Sequence, residues 1–236
     1  YPFVSDAKVI ALNGESEWFN LGLEAFAYTG EPVAVMEALL AAFGLGLLGC
    51  ATDYRLYPFL LGPEASARTP LLHGLLSCVP RSGLTAVDFP EMNKQGERTA
   101  LYGACMNVVA ETSTCEFKRF DGPKKVLGGL PVQANSKYHD AFTFRPSCGH
   151  LFAGSQPPAF KDDDLRRMLP VFYTPEKLSA DPQRHLRVAA EAPLIASLAI
   201  LAARDVIARG KLDLPLSLLE NAFEWATEAD PLLAWL

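Results

Sequence analysis

Apolar positions recur at helical spacing across Glu15 to Tyr54, through Trp18, Leu21, Leu23 and Phe26 and then Val35, Leu39, Leu40 and Phe43. Gly30-Glu31-Pro32 interrupts that stretch, so the spacing predicts two helices rather than one. Residues 38–51 (ALLAAFGLGLLGCA), in the second, are apolar on every side. A run of about 14 residues is too short to span a bilayer and predicts a buried helix. The period then shortens. Leu56 to Leu61 (LYPFLL) is a compact apolar run closed by Gly62-Pro63 and predicts a strand, and a helix starts within Thr69 to Cys78. Pro80, Gly83, Pro90 and Gly96 make the next stretch a loop. Leu101 to Ala110 predicts a second strand, centred on Met106–Ala110 and ending at Glu111. Helical spacing returns from Glu176 as one long Ala/Leu/Ile-rich helix through Arg209, followed by Leu214 to Thr227 and a short end, Asp230 to Leu236.

Between these blocks, Val126 to Pro158 carries the clearest local pattern. Gly128-Gly129 makes a turn, and Pro131-Val132-Gln133-Ala134-Asn135 runs into a polar tip, Ser136-Lys137-Tyr138-His139-Asp140. The alternating Ala141-Phe142-Thr143-Phe144-Arg145 returns from it, strand-like with turn chemistry at both ends. This predicts a hairpin holding a cation and two rings at its tip. On spacing alone it is no more than an exposed turn between two strands. His150-Leu151-Phe152-Ala153-Gly154 then predicts a short buried strand.

A chain of 236 residues, half of them hydrophobic, buries a substantial core, and 20% charged residues with 18 prolines exclude a disordered or fibrous protein. The net charge of −6 argues against a generally basic nucleic-acid coat. Any contact with nucleic acid then rests on a local cluster. Lys118, Arg119, Lys124, Lys125 and Lys137 fall just before or on the hairpin, either as such a cluster or as a solvated face. The five cysteines form no Cys-x-x-Cys pair and the four histidines show no i, i+4 spacing. Neither a disulfide framework nor a zinc site is indicated, which fits a reducing cytoplasm. The chain begins at Tyr1 without a signal-peptide pattern and reads as a piece of a longer protein.

Strand, loop, helix, strand, hairpin and strand between helical flanks is the element order of a P-loop α/β module. The hairpin block resembles superfamily 3 helicases, specifically the primase–helicases of poxviruses and satellite phages. It does so at Gly128, Gly129, Val132, Lys137, Tyr138, Asp140, Phe142, Thr143, Phe144, Arg145, Pro146 and Phe152-Ala153. Towards the other end, Glu191-Ala192-Pro193-Leu194 and Glu228-Ala229-Asp230-Pro231 with Trp235 resemble motifs of the same family. The resemblance implies an α/β, AAA+-like P-loop NTPase core over 55–175, with helical segments at 1–54 and 176–236. In such proteins the hairpin projects into the channel of a hexameric ring and grips DNA, which implies DNA contact for Lys137, Tyr138 and His139. The pairing is physically apt. A cation neutralises a phosphate without reading sequence, and an aromatic face tolerates any base.

By the same resemblance, Phe59-Leu60-Leu61-Gly62-Pro63 leads into Glu64-Ala65-Ser66-Ala67-Arg68-Thr69-Pro70, where the family carries a glycine-rich loop. Such a loop needs glycines so that N–H groups converge on phosphates, a Lys for the β/γ-phosphates and a hydroxyl for Mg²⁺. Gly62, Ser66, Arg68 and Thr69 stand at the ATP-binding positions, with Thr69 and Glu111 as the implied Mg²⁺ ligands. Glu64 adds a carboxylate beside a polyanion. Ala67 in place of a glycine implies a Cβ in a left-handed conformation, at roughly 1–2 kcal/mol. Arg68 is a planar fork where a compact ammonium is expected, whereas Pro70 is acceptable in a first helical turn. Glu111 ends the strand expected to supply metal ligation or water activation. Ser155 replaces the family's sensor Asn, and Arg166 or Arg167 matches its arginine finger. Each lost phosphate contact removes about 2–4 kcal/mol of transition-state stabilisation, so ATP hydrolysis is expected to be weak or lost.

The resulting expectation is a superfamily 3 helicase-like DNA-binding module of a mobile-element replication protein, cytoplasmic and without a membrane role. It would contact DNA independently of sequence and assemble as a homo-oligomeric, hexameric ring or with a primase or other replication partner. One alternative is a working ATP-dependent hexameric helicase using ATP and Mg²⁺. The other is a protein–protein interaction module that uses neither nucleotide nor DNA.

Overall fold

Ser16 opens the first described helix, α1 (Glu17–Ala25), by accepting the Phe19 N–H at 3.0 Å, the role for which Ser is favoured at an N-cap. Pro32 begins α2 (Pro32–Leu47), where its missing N–H is no loss, and a single turn, α3 (Ala51–Tyr54), follows. The computed structural model describes residues 13–113, 119–135, 140–158 and 162–229. After α3 the chain alternates through β1 (Phe59–Leu61), α4 (Arg68–Ser77), β2 (Leu84–Thr85), α5 (Gln95–Arg98), β3 (Met106–Val109) and α6 (Asp121–Leu127). Next come β4 (Val132–Ala134) and β5 (Phe142–Phe144), then β6 (Gly149–Gly154), α7 (Asp163–Arg167) and β7 (Val171–Tyr173). Three helices follow: α8 (Arg184–Ala190), α9 (Ala192–Arg209) and α10 (Leu216–Ala229).

β2, β3, β6, β1 and β7 lie side by side in that order as one parallel sheet. A parallel sheet covered on both faces asks for apolar residues at successive positions, which is why its strands read as continuous apolar runs. Leu60, Met106, Val108, Leu151, Ala153 and Phe172 share one buried cluster with residues of α1, α2, α4 and α9. Phe59, Val109, Phe152 and Val171 join Tyr57, Phe89, Val126, Leu127, Leu165 and Trp225 in the other. Stacked rings tie this second layer together, with Phe89 and Phe152 at 4.3 Å and Phe59 and Trp225 at 5.7 Å.

The two helical ends of the chain pack on each other and on the sheet. α2 runs against α9, and a Cβ at Gly44 would collide with the carbonyl of Ala199, so only glycine permits that approach. Met36, Leu39, Leu40, Phe43 and Leu45 are all buried, as expected for the apolar run in α2. Among the described residues no single helix is long and apolar enough to cross a membrane. α8 and α9 together reach that length, but they meet at a bend of 56°, and Ile195, Leu198, Ala199, Ala203 and Val206 are buried inside the protein.

Several elements differ from the sequence expectation. The strand expected over Leu101 to Ala110 is confined to β3, because Thr99–Leu101 coils into a 3-10 turn. The expected loop from Pro80 to Gly96 contains β2, a two-residue edge strand. β7 and α6 were not expected at all. The single long helix from Glu176 to Arg209 is two helices, α8 and α9, broken at Glu191. There Glu191 accepts from Ser16 Oγ at 2.5 Å, Glu17 N at 2.8 Å and Trp18 N at 3.3 Å, so its carboxylate caps α1 from across the fold.

Candidate nucleotide site and hairpin

Strand order places β1 between β6 and β7, and the loop after β1 is stitched to the ends of both. Gly62 N donates to Gly154 O at 3.2 Å. The Thr174 hydroxyl, just past β7, donates to Leu61 O at 3.2 Å and so accepts from Ser66 Oγ at 3.0 Å. A Cβ on Gly62 would collide with Thr174 Oγ1 and stand 2.6 Å from its carbonyl oxygen, so this glycine is set by close approach. Further along, Leu178 N donates to Ala65 O at 2.8 Å. Ala65 carries the left-handed backbone of this loop, at φ 61°. Ala67 was expected there, but it is right-handed at φ −63°, ψ −13°, and leads directly into α4. The strain of roughly 1–2 kcal/mol therefore belongs two residues earlier.

Arg68 sits on the first turn of α4 and is only 8% exposed. Its Nη1 lies 3.1 Å from Glu111 Oε2, a charge pair without hydrogen-bond alignment. Glu111 follows β3 with its side chain half exposed. Its Oε1 accepts from both the backbone N–H and the hydroxyl of Ser155, each at 2.9 Å. Three positions singled out from separate strand ends thus converge, at the carboxyl edge where open α/β sheets place their ligands. Thr69 is exposed at the same end of α4. Arg166 and Arg167 lie on α7, which packs against α6 and α10; Arg166 is 6% exposed and Arg167 is exposed.

ATP with Mg²⁺ would need converging N–H groups, a cation free to reach phosphate and oxygen ligands for the metal. Pro63 and Pro70 have no N–H, and the N–H groups of Gly62, Ser66 and Arg68 are engaged within the fold. Arg68 is turned into the protein against Glu111, and that carboxylate already serves Arg68 and Ser155. The buried Thr112 hydroxyl next to it lacks a hydrogen-bond partner, but one oxygen does not replace those donors. Thr69 offers an exposed hydroxyl, whereas the exposed Ser155 hydroxyl is already given to Glu111. As arranged, these residues do not fit the group.

β4 and β5 pair antiparallel with Val132 opposite Phe144, Gln133 opposite Thr143 and Ala134 opposite Phe142, so the two expected hairpin strands are present. Its tip residues Lys137, Tyr138 and His139 lie outside the described residues, as do Lys118, Cys115 and Trp235. The base docks on α5, with Asn135 N donating to Gln95 O at 3.2 Å and Gln95 Nε2 to Gln133 Oε1 at 3.2 Å. Lys124, counted above with the positive cluster, is held by Asp162 at 2.8 Å and Asp164 at 3.1 Å, which raises its ammonium pKa. Arg119 and Lys125 are exposed.

Protein-family models and curated proteins give no match to the chain. Among solved structures it is similar to the apo C-terminal region of NrS-1 (residues 305–718 of that protein). The TM-score is 0.59 at 14% identity, covering 90% of this chain and 51% of that one. An A-form apo structure of the same region gives 0.58, again at 14% identity with 90% and 51% covered. The chain therefore spans about half the length of these NrS-1 structures. A structure of JCV helicase aligns over 96% of this chain and 72% of that one at 13% identity, with a TM-score of only 0.40. The fold is shared with NrS-1. The expected α/β core is met by the parallel sheet covered with helices, a fold shared with that NrS-1 region.

Sequence reasoning missed the residues that brace this edge. Thr174 was one, hidden after the unexpected β7. Asp88 is another: its oxygens accept Phe89 N and Ser113 N, each at 2.8 Å, holding the segment just beyond Glu111. Burial pushes the Asp88 carboxyl above its usual range. Beneath, Asn107 bonds both backbone groups of Val87 and meets His150 Nδ1 at 3.1 Å. His150 is wholly buried and held neutral, its pKa pushed down to about 3, while Cys148 Sγ lies 3.7 Å from its other nitrogen. An isolated Asn and His within apolar strands give no sequence signal that they face each other.

Proposed function

We propose that this chain is a helicase-like DNA-binding module of a mobile-element replication protein, with ATP hydrolysis weak or lost. The observation that carries the reading is the mutual engagement of Arg68, Glu111 and Ser155. Residues that the resemblance assigns to a triphosphate and its metal engage one another instead. The hairpin gives the second half of the reading. β4 and β5 form on a docked base, and their tip sequence carries Lys137, Tyr138 and His139 for phosphate and base contact. Assembly as a hexameric ring, or with a primase or other replication partner, belongs to the same proposal, as does a cytoplasmic setting.

A titration of fluorescent single-stranded DNA at several salt concentrations, with and without ATP and Mg²⁺, tests it. Binding should fall steeply with salt and be indifferent to nucleotide. Lys137→Ala should weaken it and lower the slope of log K against log salt by about 1. Steady phosphate release abolished by Glu111→Gln would point instead to the working helicase, and no binding to DNA or nucleotide to a protein–protein module.

A further inference from the structure

The foot of the hairpin carries an aromatic cluster with no role so far. Tyr102, in the turn before β3, lies 5.1 Å from the ring of Phe142 and 5.4 Å from that of Phe144, nearly edge-on to both. The two phenylalanines are 5.8 Å apart and only partly buried. Tyr102 is 63% exposed. A ring with that much free surface gains little from core packing. Three cations lie on the segments that meet at this foot: Lys94 caps α5, the helix that receives β4, Arg98 ends it, and Arg145 directly follows β5. Unlike Lys124, none of these three forms an ion pair among the described residues. Cations without acidic partners on the segments that carry an exposed π-face make a local exception to the net charge of −6, and that combination suits a polyanion with flat bases.

We infer that Tyr102, backed by Phe142 and Phe144, is a stacking platform for single-stranded nucleic acid at the base of the hairpin, with Lys94, Arg98 and Arg145 drawing in the backbone. The inference rests on the DNA-binding reading above and extends the contact beyond the tip. Phe142 and Phe144 meet the phenol ring edge-on and leave most of its surface exposed, room enough for a base to stack.

Binding of a fluorescent single-stranded oligonucleotide, measured across a salt series for wild type, Tyr102→Ala, Tyr102→Phe and Lys137→Ala, decides it. Tyr102→Ala should weaken binding roughly 5- to 150-fold, the usual loss for one stacked base, and leave the salt slope unchanged. Tyr102→Phe keeps the ring and should restore affinity, whereas Lys137→Ala should lower the slope. If Tyr102→Ala binds like wild type while Lys137→Ala does not, the platform is wrong and the DNA-binding reading stands. If wild type fails to bind, both fall. A Tyr102→Ala protein that changes its elution volume in the absence of DNA would make this surface a protein interface and overturn the inference. Thermal melts of each variant guard against a folding defect.

Discussion

The Arg68–Glu111 pair is lopsided, and that lopsidedness predicts an unusual mutant cycle. Arg68 is buried, whereas the Glu111 side chain is 54% exposed. Removing one partner of a fully buried pair costs about 3–5 kcal/mol, and breaking an exposed pair about 0.2–1. Glu111→Gln keeps an oxygen for Ser155 but leaves a buried guanidinium without its counter-charge. With half of the acid in water, the loss falls between those limits, at roughly 1–2 kcal/mol. For a chain of this size that lowers the melting temperature by roughly 2–8 °C. Arg68→Met removes the buried charge and fills the space with an apolar stem, leaving Glu111 solvated and still bonded to Ser155. It should lie within about 0.5 kcal/mol of wild type, or above it. Once Arg68 is Met, adding Glu111→Gln should change almost nothing. Urea melts of the four proteins measure the cycle. The reasoning fails if Arg68→Met costs as much as Glu111→Gln, or if the two losses add.

Two further outcomes follow from the geometry. Gly62→Ala should cost about 2–3 kcal/mol in a thermal or urea melt, because the new methyl meets a backbone oxygen that cannot rotate away. Thr174→Ala should not rescue it, since that carbonyl remains. His150 is neutral in the fold down to about pH 3 but takes a proton at its ordinary pKa near 6.5 when unfolded. Its contribution is therefore complete above that value and is lost as pH falls below it. Between pH 6.5 and 5 the loss should be about 1.6 kcal/mol, and this slope should be missing from His150→Gln; equal slopes in the two proteins would refute it.

What the sequence made legible was set by local chemistry. β1, β3, β6 and the two hairpin strands are apolar or alternating runs closed by Gly, Pro or polar residues, and all appear close to where they were expected. β7 escaped because Val171-Phe172-Tyr173 is only three residues, and it is ordered by pairing with β1 rather than by its own pattern. The break between α8 and α9 was invisible for a related reason. Ala-rich sequence runs through both helices, and what fixes Glu191 is the N-terminus of α1, distant along the chain. At the candidate site the resemblance supplied Arg68, Glu111 and Ser155 as separate roles. Their engagement with one another depends on the β1–β6 and β3–β6 registers, which no spacing within one segment reports. The misplaced left-handed residue has the same origin: Ala65 is set by its bond to Leu178, a partner outside the loop.

The close crossing of α2 and α9 at Gly44 bears on how the protein is made. The most apolar of the described helices leaves the ribosome early, yet α9, which covers one side of it, is synthesised roughly 150 residues later, a delay of about 8–30 s at ordinary elongation rates. Throughout that interval one side of a greasy segment is without shelter. Nascent chains halted before α9 should be avid clients for holding chaperones, and release should coincide with emergence of the last helices.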